Sequence, residues 1–287
     1  MKSRYYIEGL IAVFLFGITP IFIKEVSANA VTIGLVRLVI GASFLFFIAG
    51  NKNLKKLTKK DWKALVLIGI VFGGHWITYF MSVKLATPSM AILSVSSFGL
   101  HMIYLNWIIN KKKPSPYDII AVLIALFGIY LIVPAFDLSN NLTTGILVGL
   151  VSAAFFAILP FIQQRNQHLD SMTRAFGQYS FALIVFLPMS FQSNWDLTQQ
   201  DWVYLAILGT VCTVGAHTLW LRASTVLPPT NTSLIFYLGT PIAMITSFIF
   251  LDEAMPTQKI VGASLIISAN VFAVFISRMK RRKSLKA

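Results

Sequence analysis

The sequence predicts an all-α membrane protein with ten transmembrane helices, arranged as two inverted repeats of five helices each. Hydrophobic residues make up 56% of its 287 residues and charged residues only 12%, whereas about a quarter of a soluble domain is charged. Ten apolar runs of roughly 17–25 residues, the length that crosses hydrocarbon as a helix, account for nearly the whole chain. The two halves also share residues at a constant spacing, which indicates a repeat.

The predicted helices follow one another with short polar loops between them. The first five occupy residues 5–26, 30–49, 62–83, 88–109 and 116–133, and the next three occupy residues 143–164, 172–190 and 201–222. The last two lie in residues 227–270, where two apolar runs are joined by the polar turn Asp252-Glu253. We therefore expect a first repeat at 1–134, a second at 143–278, and a basic cytoplasmic tail at 279–287.

The distribution of Lys and Arg predicts the orientation of these helices. If the N-terminus is cytoplasmic and the loops alternate sides, twenty basic residues lie inside and only Lys24, Lys84 and Lys259 lie outside. Such a bias is typical of membrane proteins, whose cytoplasmic loops are rich in Lys and Arg. Both termini are therefore expected in the cytoplasm. The net charge of +14 is explained by this topology, so no nucleic acid is expected as a partner.

Several residues recur between the halves at a spacing of 140–141 positions. The matches include an Asp-Trp pair and two proline pairs, which makes chance matching of apolar residues a poor explanation. The pairs are Gly9 with Gly149, Pro20 with Pro160, Asp61-Trp62 with Asp201-Trp202, Gly69 with Gly209, and Pro88 with Pro229. Because each half holds an odd number of helices, the second half enters the membrane from the opposite side, as in transporters built from inverted repeats.

The end of the second repeat resembles a known family. Pro241, the segment Leu251-Asp252-Glu253 and Gly262 are similar to the C-terminal end of an EamA-type repeat of the drug/metabolite transporter superfamily. The first half departs from this pattern, with Leu100 in place of the mid-helix proline. The resemblance covers essentially the whole chain. It implies a ten-helix metabolite or amino-acid exporter of the bacterial cell (inner) membrane, working as a secondary transporter.

Polar and aromatic residues within the apolar runs predict a substrate-binding wall, since such groups are costly in a membrane unless they are paired or face water. Four predicted helices supply them: the third, fourth, eighth and ninth. The candidates are His75, Trp76, Tyr79, Ser97, His101, Tyr104, His217, Trp220, Ser233 and Tyr237. The alternative is ordinary helix packing around satisfied imidazoles. If these residues form a substrate-binding wall, they favour a small neutral or zwitterionic solute, and amino acids are the leading class.

Three prolines and one arginine also lie within predicted helices. Pro20, Pro160 and Pro241 weaken helices where gating bends are useful, although static kinks are the alternative. Arg37 starts on the order of 9 Å from the outer boundary at 1.5 Å per residue, so we expect it to snorkel to the surface. Acids are rare inside the helices, so proton coupling would have to use His75, His101 or His217.

Other functions find little support in the sequence. It contains no H-E-x-x-H, G-x-S-x-G or Gly-rich phosphate motif, so no enzyme and no ATP coupling are expected. Its single cysteine, Cys212, supports no multi-cysteine metal site, and no cofactor or metal is expected. The expected partners are a small-molecule substrate and the lipid bilayer, and the sequence makes no prediction of oligomeric state. A membrane-embedded binding or scaffold protein is the alternative function.

Overall fold

The computed structural model describes residues 2–111, 113–132, 137–227 and 229–284, and throughout these residues the regular structure is helical. The α-helices in chain order are α1 (Lys2–Glu25), α2 (Ala30–Leu54), α3 (Lys59–Leu85), α4 (Pro88–Val95), α5 (Phe98–Asn110), α6 (Pro116–Ile132), α7 (Asn141–Arg165), α8 (Ser171–Phe186), α9 (Gln199–Gly209), α10 (Ala216–Val226), α11 (Pro229–Tyr237), α12 (Gly239–Leu251) and α13 (Thr257–Ser284). A 3-10 helix, Leu187–Gln192, follows α8, and a π-helical turn, Thr210–Gly215, connects α9 to α10.

The helices identify a multi-pass membrane protein. Within the described ranges, eight helical spans are long and apolar enough to cross a membrane, and α6 is a shorter apolar helix. Large apolar side chains cover the outer surface; Phe47, for example, is 82% exposed and Phe250 68% exposed. A soluble surface rarely carries so much contiguous apolar area. The prediction of an all-α multi-pass membrane protein is therefore confirmed, whereas ten crossings remain a prediction, since α8 has only 16 residues.

Two helices begin with the same capping arrangement, 140 residues apart. At the start of α3, Asp61 N donates to Thr58 Oγ1 (3.2 Å) and Thr58 N donates to Asp61 Oδ2 (2.8 Å). At the start of α9, Asp201 N donates to Thr198 Oγ1 (3.2 Å) and Thr198 N donates to Asp201 Oδ2 (2.9 Å). These reciprocal bonds satisfy N–H groups that have no partner within a helix, so the repeated Asp-Trp pairs mark equivalent helix starts.

Two helical segments break at positions 141 residues apart. Between α4 and α5, Ser97 N donates to Ser94 O (3.1 Å); between α11 and α12, Leu238 N donates to Ile235 O (3.1 Å). Pro241 lies in the first turn of α12, where its missing N–H cannot bond the carbonyl four residues earlier. The ends of α5 and α12 also match, because Lys111 and Asp252 both adopt positive φ angles, 55° and 49°.

Prolines and basic residues do not end the helices in which they lie. Pro20 and Pro160 lie inside α1 and α7, which both continue through them. Helix α2 extends to Leu54, beyond the predicted end at residue 49, and α13 continues through residues 279–284 of the predicted tail. Lys and Arg are good helix formers, which explains the extension of α13. The predicted domain end at 134 and residues 285–287 lie outside the described residues.

The centre of the bundle is formed by contacts between the two halves. Helix α3 packs on α7 and α8, and α1 packs on α10 and α12. Glycines allow close approach at this interface: a Cβ added at Gly69 would lie 2.7 Å from the backbone carbonyl carbon of Phe181 in α8. The third interface, between α6 and α13, lies away from this centre. Side chains on α1, α3, α7, α8 and α10 are therefore placed to meet in the middle of the molecule.

Candidate functional site

Seven aromatic side chains form a closed circuit of contacts between helices. Neighbouring ring centroids around the circuit are between 4.8 Å and 6.1 Å apart. We call this group the aromatic collar: Phe16, Phe72, His75, Phe156, His217, Trp220 and Phe236. Its members come from α1 and α3 of the first half and from α7, α10 and α11 of the second. The collar therefore lies between the two halves.

The collar combines fixed and accessible side chains. Phe72 and His75 are buried, whereas the other five members keep partial accessibility. His75 is held by Ser152 of α7: its Nδ1 lies 2.8 Å from Ser152 Oγ and 3.1 Å from the Ser152 carbonyl oxygen. The hydroxyl of Ser152 also lies within hydrogen-bond distance of the His75 carbonyl oxygen, at 2.9 Å. One side of the collar is thus held by hydrogen bonds, and the other five side chains keep part of their surface accessible.

Arg37 of α2 lies beside the collar, deep in the protein. Only 2% of the residue is exposed, and its guanidinium lies 4.4 Å from the Trp76 ring centroid and 5.1 Å from that of Phe80. Arg37 Nε donates to Thr213 Oγ1 (2.9 Å), while Nη1 is buried and has no hydrogen-bond partner within the described part of the chain. The expectation that Arg37 snorkels to the surface is wrong, because its side chain points into the bundle and stacks on aromatic rings.

The π-helical turn places the partner of Arg37. Within Thr210–Gly215 the backbone is wound more widely than in an α-helix, and Thr213 Oγ1 donates to Leu208 O at 2.7 Å, five residues earlier. The same hydroxyl oxygen then accepts the hydrogen bond from Arg37. Single π-helical turns within helices are frequent at functional sites. This turn therefore links α2 to the helix that carries His217 and Trp220.

Six of the predicted wall residues lie in or next to the collar. Trp76 connects it to Arg37, since its ring lies 5.7 Å from that of His217. Tyr79 stacks on His75 at 6.0 Å. Tyr237 lies beside Phe236, and its hydroxyl donates to Asn270 Oδ1 (3.0 Å). His75, His217 and Trp220 belong to the collar itself.

The other predicted wall residues lie elsewhere or cannot be placed. Ser97, His101 and Tyr104 share a cavity of about 380 Å³, as their common helical stripe predicts. This cavity lies between α5 and α6 and is bordered by Leu150 of α7, and its lining is mainly apolar. Tyr104 is 56% exposed there, so the stripe faces away from the collar. The side chain of Ser233 lies outside the described part of the chain.

Sequence reasoning missed much of the site. It named neither the four phenylalanines of the collar nor Tyr179 of α8, whose ring lies 5.8 Å from Trp76. A phenylalanine that faces a solute and one that faces lipid look alike in an apolar run. Arg37 did give a signal, because a cation inside a membrane helix marks a functional site unless it is paired or snorkels.

Two hydrogen-bonded contacts, which we call latches, join the halves at opposite ends of the bundle. In the Ser27–Asp201 latch, Ser27 N and Oγ donate to the two carboxylate oxygens of Asp201 at 2.7 Å and 2.5 Å. In the Asp61–His168 latch, His168 Nε2 lies 2.7 Å from Asp61 Oδ1. Asp61 begins α3, which runs for 27 residues, or about 40 Å, to the end that contacts Lys24 near Ser27. The two latches therefore lie at opposite ends of the bundle.

Basic side chains connect helix ends where the Ser27–Asp201 latch lies. Lys24 Nζ donates to the Ala86 carbonyl oxygen (2.8 Å), and Lys84 Nζ donates to that of Val26. Lys259 pairs with Glu253, whose carboxylate also accepts from Ser89 Oγ (2.6 Å). Burial opposes ionisation of Glu253, but these hydrogen bonds outweigh it and hold its pKa below the ordinary value. The three basic residues expected on the outer side are therefore used in helix-end contacts.

Comparison with protein families places this fold among membrane transporters. The family model described as "EamA-like transporter family" matches residues 3–133 and 143–275 of this chain. A solved crystal structure superposes on the chain with a TM-score of 0.68 at 16% sequence identity, over 97% of this chain and 99% of the other. The two therefore share a fold.

Curated relatives cover most of the chain at low identity. "Uncharacterized transporter YxxF" of Bacillus subtilis (strain 168) is 22% identical over 275 residues, 93% of this chain and 88% of that protein. "Uncharacterized transporter YwfM" of the same organism is 24% identical over 280 residues, 93% of each chain. "Protein PecM" of Dickeya dadantii (strain 3937) is 23% identical over 233 residues, 78% of this chain and 77% of that protein.

Proposed function

Because the chain belongs to the EamA-like transporter family, we propose that it is a secondary transporter that works by alternating access across a bacterial membrane. Its solute is a small neutral or zwitterionic metabolite, with amino acids as the leading class and export as the expected direction. The observation that carries this proposal is the pair of latches. Each joins one half to the other, and they lie at the two ends of the same bundle.

Two separable closures are what alternating access requires, since the solute must reach the site from one side while the other stays shut. The aromatic collar lies between the latches, because Phe72 and His75 are in the middle of α3, whose two ends lie near the two latches. Opening the Ser27–Asp201 latch exposes the collar to one side, and opening the Asp61–His168 latch exposes it to the other. A binding or scaffold protein has no use for closures at both ends.

An inverted repeat of two five-helix halves accounts for this arrangement. The matching capping boxes, helix breaks and positive φ angles, each 140–141 residues apart, support such a repeat. The latches also correspond, because Asp61 and Asp201 occupy the same place in their halves and each contacts a loop of the opposite half. An inverted repeat turns one closure into its counterpart at the other face.

The orientation follows from the basic residues, since the segments beside the Asp61–His168 latch, 55–63 and 165–174, hold seven of them. We propose that this end and both termini face the cytoplasm. A reporter fused after Lys55 is then expected to behave as cytoplasmic, and one fused after Trp195 as external. Activity of both reporters on the same side would contradict the orientation and the odd number of helices per half.

The composition of the collar supports an amphipathic solute. Aromatic rings bind an apolar or aromatic body, and the imidazoles and neighbouring hydroxyls bind a polar head. His75, His101 and His217 remain the candidates for proton coupling, because acids are rare inside the helices. Proton-driven accumulation that is lost when all three are replaced by glutamine would support this coupling.

The function is tested by flux through purified protein in proteoliposomes. We expect saturable uptake and counterflow of at least one solute from a panel of amino acids, nucleosides and amines. Empty liposomes and protein-containing liposomes without internal solute provide the controls. High-affinity binding of a solute with no counterflow would instead identify a binding protein and overturn the transport proposal.

A further inference from the structure

The buried guanidinium of Arg37 lacks a counter-ion. No carboxylate contacts it among the described residues, and its Nη1 has no hydrogen-bond partner. The buried carboxylates pair elsewhere: Glu8 with Arg4 and Arg222, Asp61 with His168, Asp201 with Ser27, and Glu253 with Lys259. A buried charge is costly without a partner, and stacking on Trp76 offsets only part of this cost. An acceptor carried by a ligand would complete the site.

A second donor without a partner lies beside the same indole ring. Tyr179 of α8 is 2% exposed, and its buried hydroxyl makes no hydrogen bond to any residue that the structure describes. A Cβ added at Gly41, one helical turn after Arg37, would lie 3.2 Å from Thr213 Cγ2 and 3.3 Å from Tyr179 Cδ2. Tyr179 and the hydrogen-bond partner of Arg37 therefore meet on the same side of α2. A guanidinium whose Nη1 lacks an acceptor and a hydroxyl that lacks one are suited to an oxyanion.

We propose that Arg37 and Tyr179 bind the carboxylate of the transported solute, and that its apolar body lies on the aromatic collar. This proposal rests on the proposed transport function and names its substrate class: aromatic or bulky apolar carboxylates, including the matching amino acids. Trp76 connects the two parts, since its ring lies under the Arg37 guanidinium and 5.7 Å from His217 of the collar.

The charge of the site selects against other head groups. One guanidinium can neutralise one negative charge, whereas a phosphate dianion would keep an uncompensated charge after losing its water. An amine would bring a second cation next to Arg37, and like charges repel strongly where water is excluded. The sequence favoured a neutral or zwitterionic solute, and the inward-pointing Arg37 adds a fixed positive charge beside the collar.

Three probes with the same phenyl ring separate the head groups: 3-phenylpropionate carries only a carboxylate, L-phenylalanine a carboxylate and an ammonium, and phenethylamine only an ammonium. Binding of each radiolabelled probe to purified full-length protein is measured, followed by counterflow in proteoliposomes. We expect both carboxylates, or L-phenylalanine alone, to bind saturably. Phenethylamine is not expected to compete with their binding. Binding of both identifies the carboxylate as sufficient, and binding of L-phenylalanine alone shows that the zwitterion is required.

Substitutions then test the two donors. We expect Arg37→Gln to weaken carboxylate binding at least about 30-fold, as for truncation of a buried charge partner, and Tyr179→Phe to weaken it about fivefold. Arg222→Gln removes a cation that already pairs with Glu8 and is the matched control, with unchanged affinity. The ligand-free melting temperature of Arg37→Gln should not fall, because the variant removes an unpaired buried charge.

The outcomes distinguish this proposal from transport itself. Wild-type affinity for the carboxylates in Arg37→Gln, tight binding of phenethylamine to the wild type, or counterflow confined to solutes without a carboxylate would overturn the carboxylate site. If counterflow is confined to solutes without a carboxylate, the transport function would still stand. Carboxylate binding that depends on Arg37 without any counterflow would overturn the transport function and leave the site intact. A lower melting temperature for Arg37→Gln with unchanged binding would identify Arg37 as a packing residue.

Discussion

Counterflow is expected to fall by more than about 100-fold in the Trp76→Ala variant, as for loss of a buried tryptophan at the centre of a binding site. Trp76 is 2% exposed and contacts both parts of the proposed site, the Arg37 guanidinium at 4.4 Å and the His217 ring at 5.7 Å. Alanine would remove the surface on which the head and the body of the solute meet. The measurement is solute counterflow at several concentrations in proteoliposomes.

The control for this variant must separate lost binding from lost folding. Trp76→Phe keeps an aromatic ring and is expected to retain most of the flux. Trp202→Ala removes an exposed tryptophan at the start of α9 that stacks only on Trp195 among its ring contacts and is expected to behave as the wild type. If Trp76→Ala keeps its melting temperature and transports normally, α3 does not form the wall of the transport path.

The second large effect is expected at the latches. Asp201→Ala removes both acceptors of Ser27, and hydrogen bonds to a charged group contribute about 1.5–3 kcal/mol each. The balance between the closed and open states of that end should then shift by about 3 kcal/mol, roughly 100-fold in population. A cysteine at Phe16 of the collar, in a background with Cys212→Ala, should be labelled faster from that side of the membrane.

Two matched variants test whether this effect belongs to the latch. Thr198→Ala removes the α9 capping bond but leaves the Ser27 contacts, so labelling at position 16 should not accelerate. His168→Ala breaks the latch at the other end and should accelerate labelling from the opposite side only. Equal acceleration from both sides in either latch variant would indicate general loosening of the bundle and would contradict separate closures.

The sequence predicted the helices well because their physical cause is local. Length and apolar composition mark a membrane helix without reference to its neighbours. The repeated Asp-Trp pairs identified equivalent positions, which the structure shows as matching capping boxes at Asp61 and Asp201. The Pro241, Leu251-Asp252-Glu253 and Gly262 pattern identified the family, and that assignment is confirmed by the match over both halves.

The site could be predicted only in part, because it depends on which face of each helix turns inward. The place of Arg37 within a helix followed from the sequence, but the direction of its side chain did not. The π-helical turn that brings Thr213 to Arg37 left no pattern in an apolar run. The helix break before α5 also limited the prediction of the site. Ser97, His101 and Tyr104 share one face as their spacing predicts, but this face lies against α6 instead of the collar.

The central claim is that the two ends open in alternation, and distances across each end test it most directly. Spin labels on cysteines at Glu25 and Gln200 report the end with the Ser27–Asp201 latch, and labels at Lys60 and Gln167 report the end with the Asp61–His168 latch. All four positions are exposed, and Cys212→Ala removes the native thiol. With and without saturating solute, and in the two latch variants, the account predicts that one distance lengthens whenever the other shortens. Distances that change together, or that stay fixed while counterflow proceeds, would contradict it.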